Sequence, residues 1–162
     1  MTRSISIFGA TGSIGQSTID LIKRNADGYN VVALTGGRNI DQLAKDAIAL
    51  NADVAITSEE SLFGALHANL AGSGVEVAAG RSALLDAADR PVDWTMSAIV
   101  GAAGLEPGLR ALRHGSTLAL ANKESLVTAG ALLLGEAEKH GAKIVKRKTR
   151  TKVVKRNTLD KN

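Results

Sequence analysis

The stretch Gly9-Ala10-Thr11-Gly12-Ser13-Ile14-Gly15-Gln16-Ser17-Thr18 decides the fold. It follows Ser4-Ile5-Ser6-Ile7-Phe8, which alternates like a strand, and it opens a segment of helical period. Three glycines at a strand-to-helix turn allow tight backbone and close approach of a ligand. The helix N-terminus that follows presents unpaired N–H groups and the positive end of a dipole, which suits an anion. The spacing is G-x-x-G-x-x-G rather than G-x-G-x-x-G. No Gly-Lys-Ser/Thr follows, so this is not a P-loop. A dinucleotide pyrophosphate is the ligand this geometry serves; a bare strand-to-helix turn is the alternative.

Outward from the loop, short β-branched runs alternate with helical segments up to residue 142. The expected strands are Ser4–Phe8, Asn30–Leu34, Val54–Thr57, Val75–Ala78, Trp94–Ile99 and Thr117–Ala121. The expected helices lie near 13–25, 39–50, 59–70, 81–88, 105–114 and 124–140. Ser13, Asn39 and Ser58 are placed to cap the first three helices, and Gly115 and Gly141 to stop the last two. Strands separated by helices cannot be hairpins, so they form βαβ units. The expectation is α/β: a Rossmann-type, doubly wound, mostly parallel sheet with helices on both faces.

At 162 residues, the chain has the length of one ordinary domain, and 44% apolar with 22% charged residues is a globular composition. It has no cysteine, which excludes a disulfide framework, a thiolate nucleophile and thiolate metal sites. No apolar run approaches a membrane span, and the first residues lack the apolar core of a signal peptide; a cytoplasmic location is expected. The net charge of +4 divides unevenly. Residues 143–162 carry nine Lys/Arg and one acid, whereas residues 1–142 carry eleven basic and fifteen acidic residues. The body is therefore acidic and the end strongly basic. Composition sets the boundary at 144, with a dinucleotide-binding domain over 1–144 and a disordered basic tail over 145–162. The tail has no aromatic residue for base stacking, so a nucleic-acid role is disfavoured.

The end of the second strand bears on which dinucleotide fits. An NAD site wants an acid about 20 residues after the loop, to hold a ribose 2′-hydroxyl. Here the sequence reads Leu34-Thr35-Gly36-Gly37-Arg38-Asn39, with a guanidinium where a 2′-phosphate would lie. NADP is preferred over NAD, and an ordinary solvated arginine is the alternative. Asn122-Lys123-Glu124 follows a later strand and should reach the same rim of the sheet. On residue chemistry alone, a phosphate-holding lysine and an ordinary helix start are equally good readings. His67, His114 and His140 form no metal-binding pattern, and no G-x-S-x-G elbow occurs. The small, apolar segment Ser97–Gly104 suits close packing beside a ligand.

Three segments resemble the amino-terminal part of the 1-deoxy-D-xylulose 5-phosphate reductoisomerase family. They are Gly9–Gly15, Ala98-Ile99-Val100-Gly101-Ala102-Ala103-Gly104-Leu105 and Leu120-Ala121-Asn122-Lys123-Glu124-Ser125-Leu126-Val127. The likeness covers residues 1–144. It implies an NADPH-dependent oxidoreductase of isoprenoid biosynthesis that converts its sugar phosphate to 2-C-methyl-D-erythritol 4-phosphate with Mg or Mn. Carried over by residue, it implies cofactor contacts at Thr11, Gly12, Ser13 and Ile14, and at Gly37, Arg38 and Asn39. Asn122 and Glu124 are further cofactor contacts and Lys123 a substrate contact, which settles the rim cluster in favour of function. A homodimer is implied for the full-length enzyme. The family continues past Ile144 into a Pro-Val-Asp-Ser-Glu stretch that supplies metal ligands. This chain has Val145-Lys146-Arg147-Lys148 there instead, so the expectation is a truncated chain that holds cofactor but neither catalytic nor metal residues.

Overall fold

The computed structural model describes residues 2–121 and 124–146. Among the described residues seven strands and six helices alternate. They are β1 (Arg3–Phe8), α1 (Ser13–Arg24), β2 (Tyr29–Gly36), α2 (Ile40–Ala49), β3 (Val54–Thr57), α3 (Phe63–Asn69), β4 (Glu76–Ala79) and α4 (Arg81–Ala88). There follow β5 (Trp94–Ser97), α5 (Leu105–Arg113), β6 (Thr117–Leu120), α6 (Glu124–His140) and β7 (Lys143–Lys146). The strands form one sheet in the order β4-β3-β2-β1-β5-β6-β7, and every pairing is parallel. The order reverses between β1 and β5. In open α/β sheets that switch point is where ligands sit, beyond the carboxyl ends of the strands.

Alternation along the strands divides the core into two faces. On one side Ile5, Ile7, Val31 and Ala55 pack with Ile19 and Ile22 of α1, Leu43 and Ala47 of α2, and Leu66 of α3. On the other, Phe8, Ala33, Val54 and Ile56 meet Leu84 and Ala87 of α4. Leu118 and Leu120 share that second face through the register Thr95↔Leu118 and Ser6↔Thr95, and pack against Leu112 of α5 and Leu133 of α6. Helices therefore cover both faces, as a doubly wound sheet requires. The β1–β2 register slips between Ile5 and Ser6, placing one extra residue on β2.

Two expected caps are corrected. Gly12, not Ser13, is the N-cap of α1, and no side chain caps that helix. Ser58 caps nothing either: the chain first makes a short 3-10 turn, Glu60–Leu62, behind Glu59. Asn39 does cap α2, its side chain accepting from the Gln42 N–H at 3.3 Å. Gly115 and Gly141 take φ of 73° and 66°, the left-handed geometry of helix stops. The fifth strand ends at Ser97 rather than Ile99, because Ala98 and Ile99 leave the sheet to lie against Gly9. A seventh strand, β7, continues two residues past the compositional boundary at 144.

Candidate functional site

The glycine loop is held from behind and open in front. Gly9, at φ 80°, donates its N–H to Thr35 Oγ1 at 3.0 Å, and the Ala10 N–H reaches the Thr35 carbonyl at 2.7 Å. Thr35 is buried near the end of β2, so the loop is tied to that strand. A Cβ on Gly9 would stand 2.9 Å from the Ala98 carbonyl carbon. One on Gly15 would enter the Ala10 carbonyl group, at 2.5 Å from its oxygen. Only glycine permits these approaches. Gly12, by contrast, meets nothing nearer than 3.8 Å, and Gly12 and Ser13 are exposed. The uncapped N-terminus of α1 has no acid in its first turn and carries Lys23 and Arg24 in its last, which complements the dipole and leaves the positive end free.

Beside the loop lies a cleft of about 350 Å³. Gly9 and Thr11 form one wall, Gly36, Gly37 and Ser58 another, and Ile56, Leu84 and Ile99 an apolar floor. Gly37 is fixed by Thr57, whose buried hydroxyl donates to its carbonyl at 2.8 Å. Arg38 follows, its side chain 88% exposed, with its Nε 4.0 Å from Glu59 Oε1. An ion pair that long and that wet is worth little, so the guanidinium is available to an incoming anion.

Thr11, Gly12, Ser13 and Ile14 thus lie together on the loop, and Gly37, Arg38 and Asn39 together at the end of β2. The two groups meet across the cleft, where Thr11 lies 3.2 Å from the point at which Gly36 would carry a Cβ. Asn122 and Lys123 lie outside the described residues. Glu124 is the first residue of α6, directly beyond the carboxyl end of β6. Residues 147–162, most of the expected basic tail, are also outside the described set.

Sequence reasoning missed Arg81. It lies at the cleft mouth, donating to the Ala103 carbonyl at 2.7 Å and pairing with Glu106 at 3.3 Å. The one local signal is Gly80 before it, whose φ of 94° marks a sharp turn off β4. Glu59 and Ser58 were missed too, because they approach the site only once β3 pairs with β2. None of the three histidines lines the cleft. His114 reaches Asp89 at 3.3 Å and His140 reaches Glu136 at 3.3 Å. His67 lies beside the Phe63 ring. Among the described residues no group of three His, Asp or Glu could hold a metal ion, and no helix is long and apolar enough to cross a membrane.

An all-parallel, doubly wound sheet with an open glycine loop at its switch point defines a Rossmann-type domain. The family model for 1-deoxy-D-xylulose 5-phosphate reductoisomerase matches residues 5–130, and the chain belongs to that family. It is 71% identical over 143 residues to the reductoisomerase of Jannaschia sp. (strain CCS1), covering 88% of this chain and 36% of that relative. It is also similar to a solved reductoisomerase from Zymomonas mobilis in complex with NADPH. The TM-score there is 0.88 at 51% identity, over 90% of this chain and 39% of that one. A second solved reductoisomerase, in complex with NADPH, fosmidomycin and magnesium, gives a TM-score of 0.83 at 40% identity, over 89% of this chain and 36% of that one. The chain spans a little over a third of the length of the relatives it matches.

Proposed function

We propose that this chain is the NADPH-holding part of a 1-deoxy-D-xylulose 5-phosphate reductoisomerase. The observation that carries the reading is the pairing of two anion sites across one cleft: the uncapped start of α1 behind Gly12, and the exposed guanidinium of Arg38. A dinucleotide with a 2′-phosphate has two anionic groups to place, its pyrophosphate and that phosphate. Backbone N–H groups of the loop Thr11–Ile14 receive the first. Arg38 and Asn39, with the Gly37 backbone, receive the second. The apolar floor of Ile56, Leu84 and Ile99 excludes water between them. When bound, NADPH supplies a hydride; the protein's share is to bind it, orient it and surround it with charge.

Asn122 and Glu124 complete the cofactor contacts in this proposal, and Lys123 holds the phosphate or a carbonyl of the substrate. For the whole enzyme the substrate is the sugar phosphate 1-deoxy-D-xylulose 5-phosphate and the product 2-C-methyl-D-erythritol 4-phosphate, on the route to isoprenoids. The reaction is cytoplasmic and uses Mg or Mn, with the enzyme as a homodimer. Metal ligands and turnover belong to residues the relatives carry beyond the span matched here. Val100 and Val127, 80% and 85% exposed beyond β5 and β6, fit a rim that further chain covers.

Titration of the chain with NADPH and, separately, NADH tests the cofactor reading. NADPH should bind at least about tenfold more tightly, the scale of one charge-assisted phosphate contact. Arg38→Ala should erase that preference and leave NADH unchanged. Equal binding of both nucleotides by the unaltered chain would remove Arg38 from the assignment.

A further inference from the structure

We propose that Asp46, a carboxylate outside the cleft, is a positioning residue that sets the glycine loop's affinity for pyrophosphate by acting through Gln16. The inference rests on the nucleotide reading above and extends it to two residues that touch no part of the cleft.

Asp46 lies in the middle of α2 with its side chain wholly buried. Its Oδ2 accepts from Gln16 Nε2 at 2.7 Å and from Gln42 Nε2 at 3.1 Å, and Lys23 Nζ stands 3.4 Å from its Oδ1. A buried carboxylate persists only where donors of this kind surround it. The informative partner is Gln16, because the same Nε2 also donates to the Ala10 carbonyl at 2.9 Å. One amide nitrogen thus spends both protons, one on the carboxylate and one on the second residue of the glycine loop.

That arrangement has a direction. A carboxylate only accepts, and so does a carbonyl, so a side-chain amide between them must present its nitrogen. Asp46 thereby forbids the flipped amide, which would push Oε1 against the Ala10 oxygen. Holding the Ala10 carbonyl inward also fixes the N–H of the same peptide group, which belongs to Thr11. In a trans peptide the C=O and N–H point to opposite sides, so the Thr11 N–H is turned outward, toward the side on which Thr11 lines the cleft. The space for the inward carbonyl is the space Gly15 leaves by having no Cβ. A loop so held loses little further freedom when an anion arrives, and preorganisation of this sort appears as affinity.

The test compares two ligands on the full chain: NADPH, and adenosine 2′-monophosphate, which has the 2′-phosphate but no pyrophosphate. Gln16→Met removes both donated bonds at similar volume. Asp46→Leu keeps a similar volume but removes the acceptor, which frees the Gln16 amide to flip. Each should weaken NADPH about tenfold, the order expected when a buried carbonyl loses its donor. Each should leave adenosine 2′-monophosphate within about twofold, and the double variant should be no weaker than the worse single one, because the two residues act as one unit. Equal losses for both ligands would reduce the network to general stabilisation and overturn the proposal, as would additive losses in the double variant. A readout without ligand accompanies this. The Thr11 backbone amide resonance should move in both variants while those of Arg38 and Asn39 stay, and an unmoved Thr11 overturns the proposal. If the unaltered chain binds neither ligand, the nucleotide reading fails and the Thr11 resonance alone decides this one.

Discussion

Replacing Gly15 by alanine sets two effects of known sign against each other. Gly15 lies in the first turn of α1, and in an open helix glycine-to-alanine gains up to about 1 kcal/mol from backbone entropy. Here the added methyl would stand 2.5 Å from the Ala10 oxygen and 2.6 Å from the Ala10 carbonyl carbon, and would press on the Gly9 oxygen as well. All three are backbone atoms of the loop, so no flexible side chain can give way. Ordinary contact needs close to another ångström, and overpacking of that kind costs about 1–3 kcal/mol. The net expectation is a loss of about 1–2 kcal/mol after the helix gain is deducted. Gly135→Ala is the matched control: it lies on the exposed side of α6 with nothing within 4 Å, and should gain about 0.5–1 kcal/mol. Urea unfolding followed by the fluorescence of the sole tryptophan, Trp94, half-buried against the core, measures both. Because the loop must shift to admit the methyl, Gly15→Ala should also weaken NADPH more than tenfold, about the fold-change of 1.4 kcal/mol. A Gly15→Ala chain as stable as the parent, with unchanged nucleotide affinity, would refute the close approach of α1 to its own loop.

Other expectations follow from single side chains. Ser6 Oγ is buried without a hydrogen-bond partner, so Ser6→Ala should be neutral or stabilising by up to about 1 kcal/mol in the same urea assay. Glu59→Gln removes the carboxylate 4.0 Å from Arg38, and should tighten NADPH by about two- to threefold at low salt with little change for NADH; the gain should shrink as ionic strength rises. Ending the chain at 144 cuts β7 and leaves Ala119 and Leu120 of β6 without their partners Val145 and Lys146. A chain ending at 146 should therefore be more stable than one ending at 144 by about 1–2 kcal/mol, the worth of a pair of strand hydrogen bonds.

Most of the fold was legible because its signals are local. Each expected strand is present within two residues, since β-branched runs such as Val54–Thr57 are buried on both faces and cannot be read as anything longer. What went unread depends on neighbours. Lys143-Ile144-Val145-Lys146 carries two lysines in four residues and sits where the composition turns basic, so its pairing with β6 leaves no trace in its own sequence. The cap at Ser13 failed for an informative reason. A hydroxyl turned back onto the first N–H groups of α1 would occupy the donors that an anion needs, and the helix starts one residue earlier on a glycine with no side chain to compete.

The site divides along the same line. The glycine loop and Arg38 could be singled out from the sequence because loop geometry and a misplaced charge are properties of consecutive residues, whereas the separate expectations at Thr11–Ile14, Gly37 and Asn39 came with the family resemblance. Arg81, Glu59 and Asp46 could not be singled out, because the first two come to the site, and the third to Gln16 behind it, from elements whose distance in sequence says nothing about distance in space. Asp46 is the sharpest case. In the sequence it is one more acid in a helix; in the fold it is a buried charge whose nearest donor, Gln16, lies thirty residues away and holds the glycine loop. A charged residue is tolerated in such a place only when its partners are fixed, and fixing them orders the loop. The glycines make the turn possible, and the buried network is what selects one conformation of it. The first is written in the local spacing of residues, while the second exists only once α1 and α2 lie side by side on the sheet.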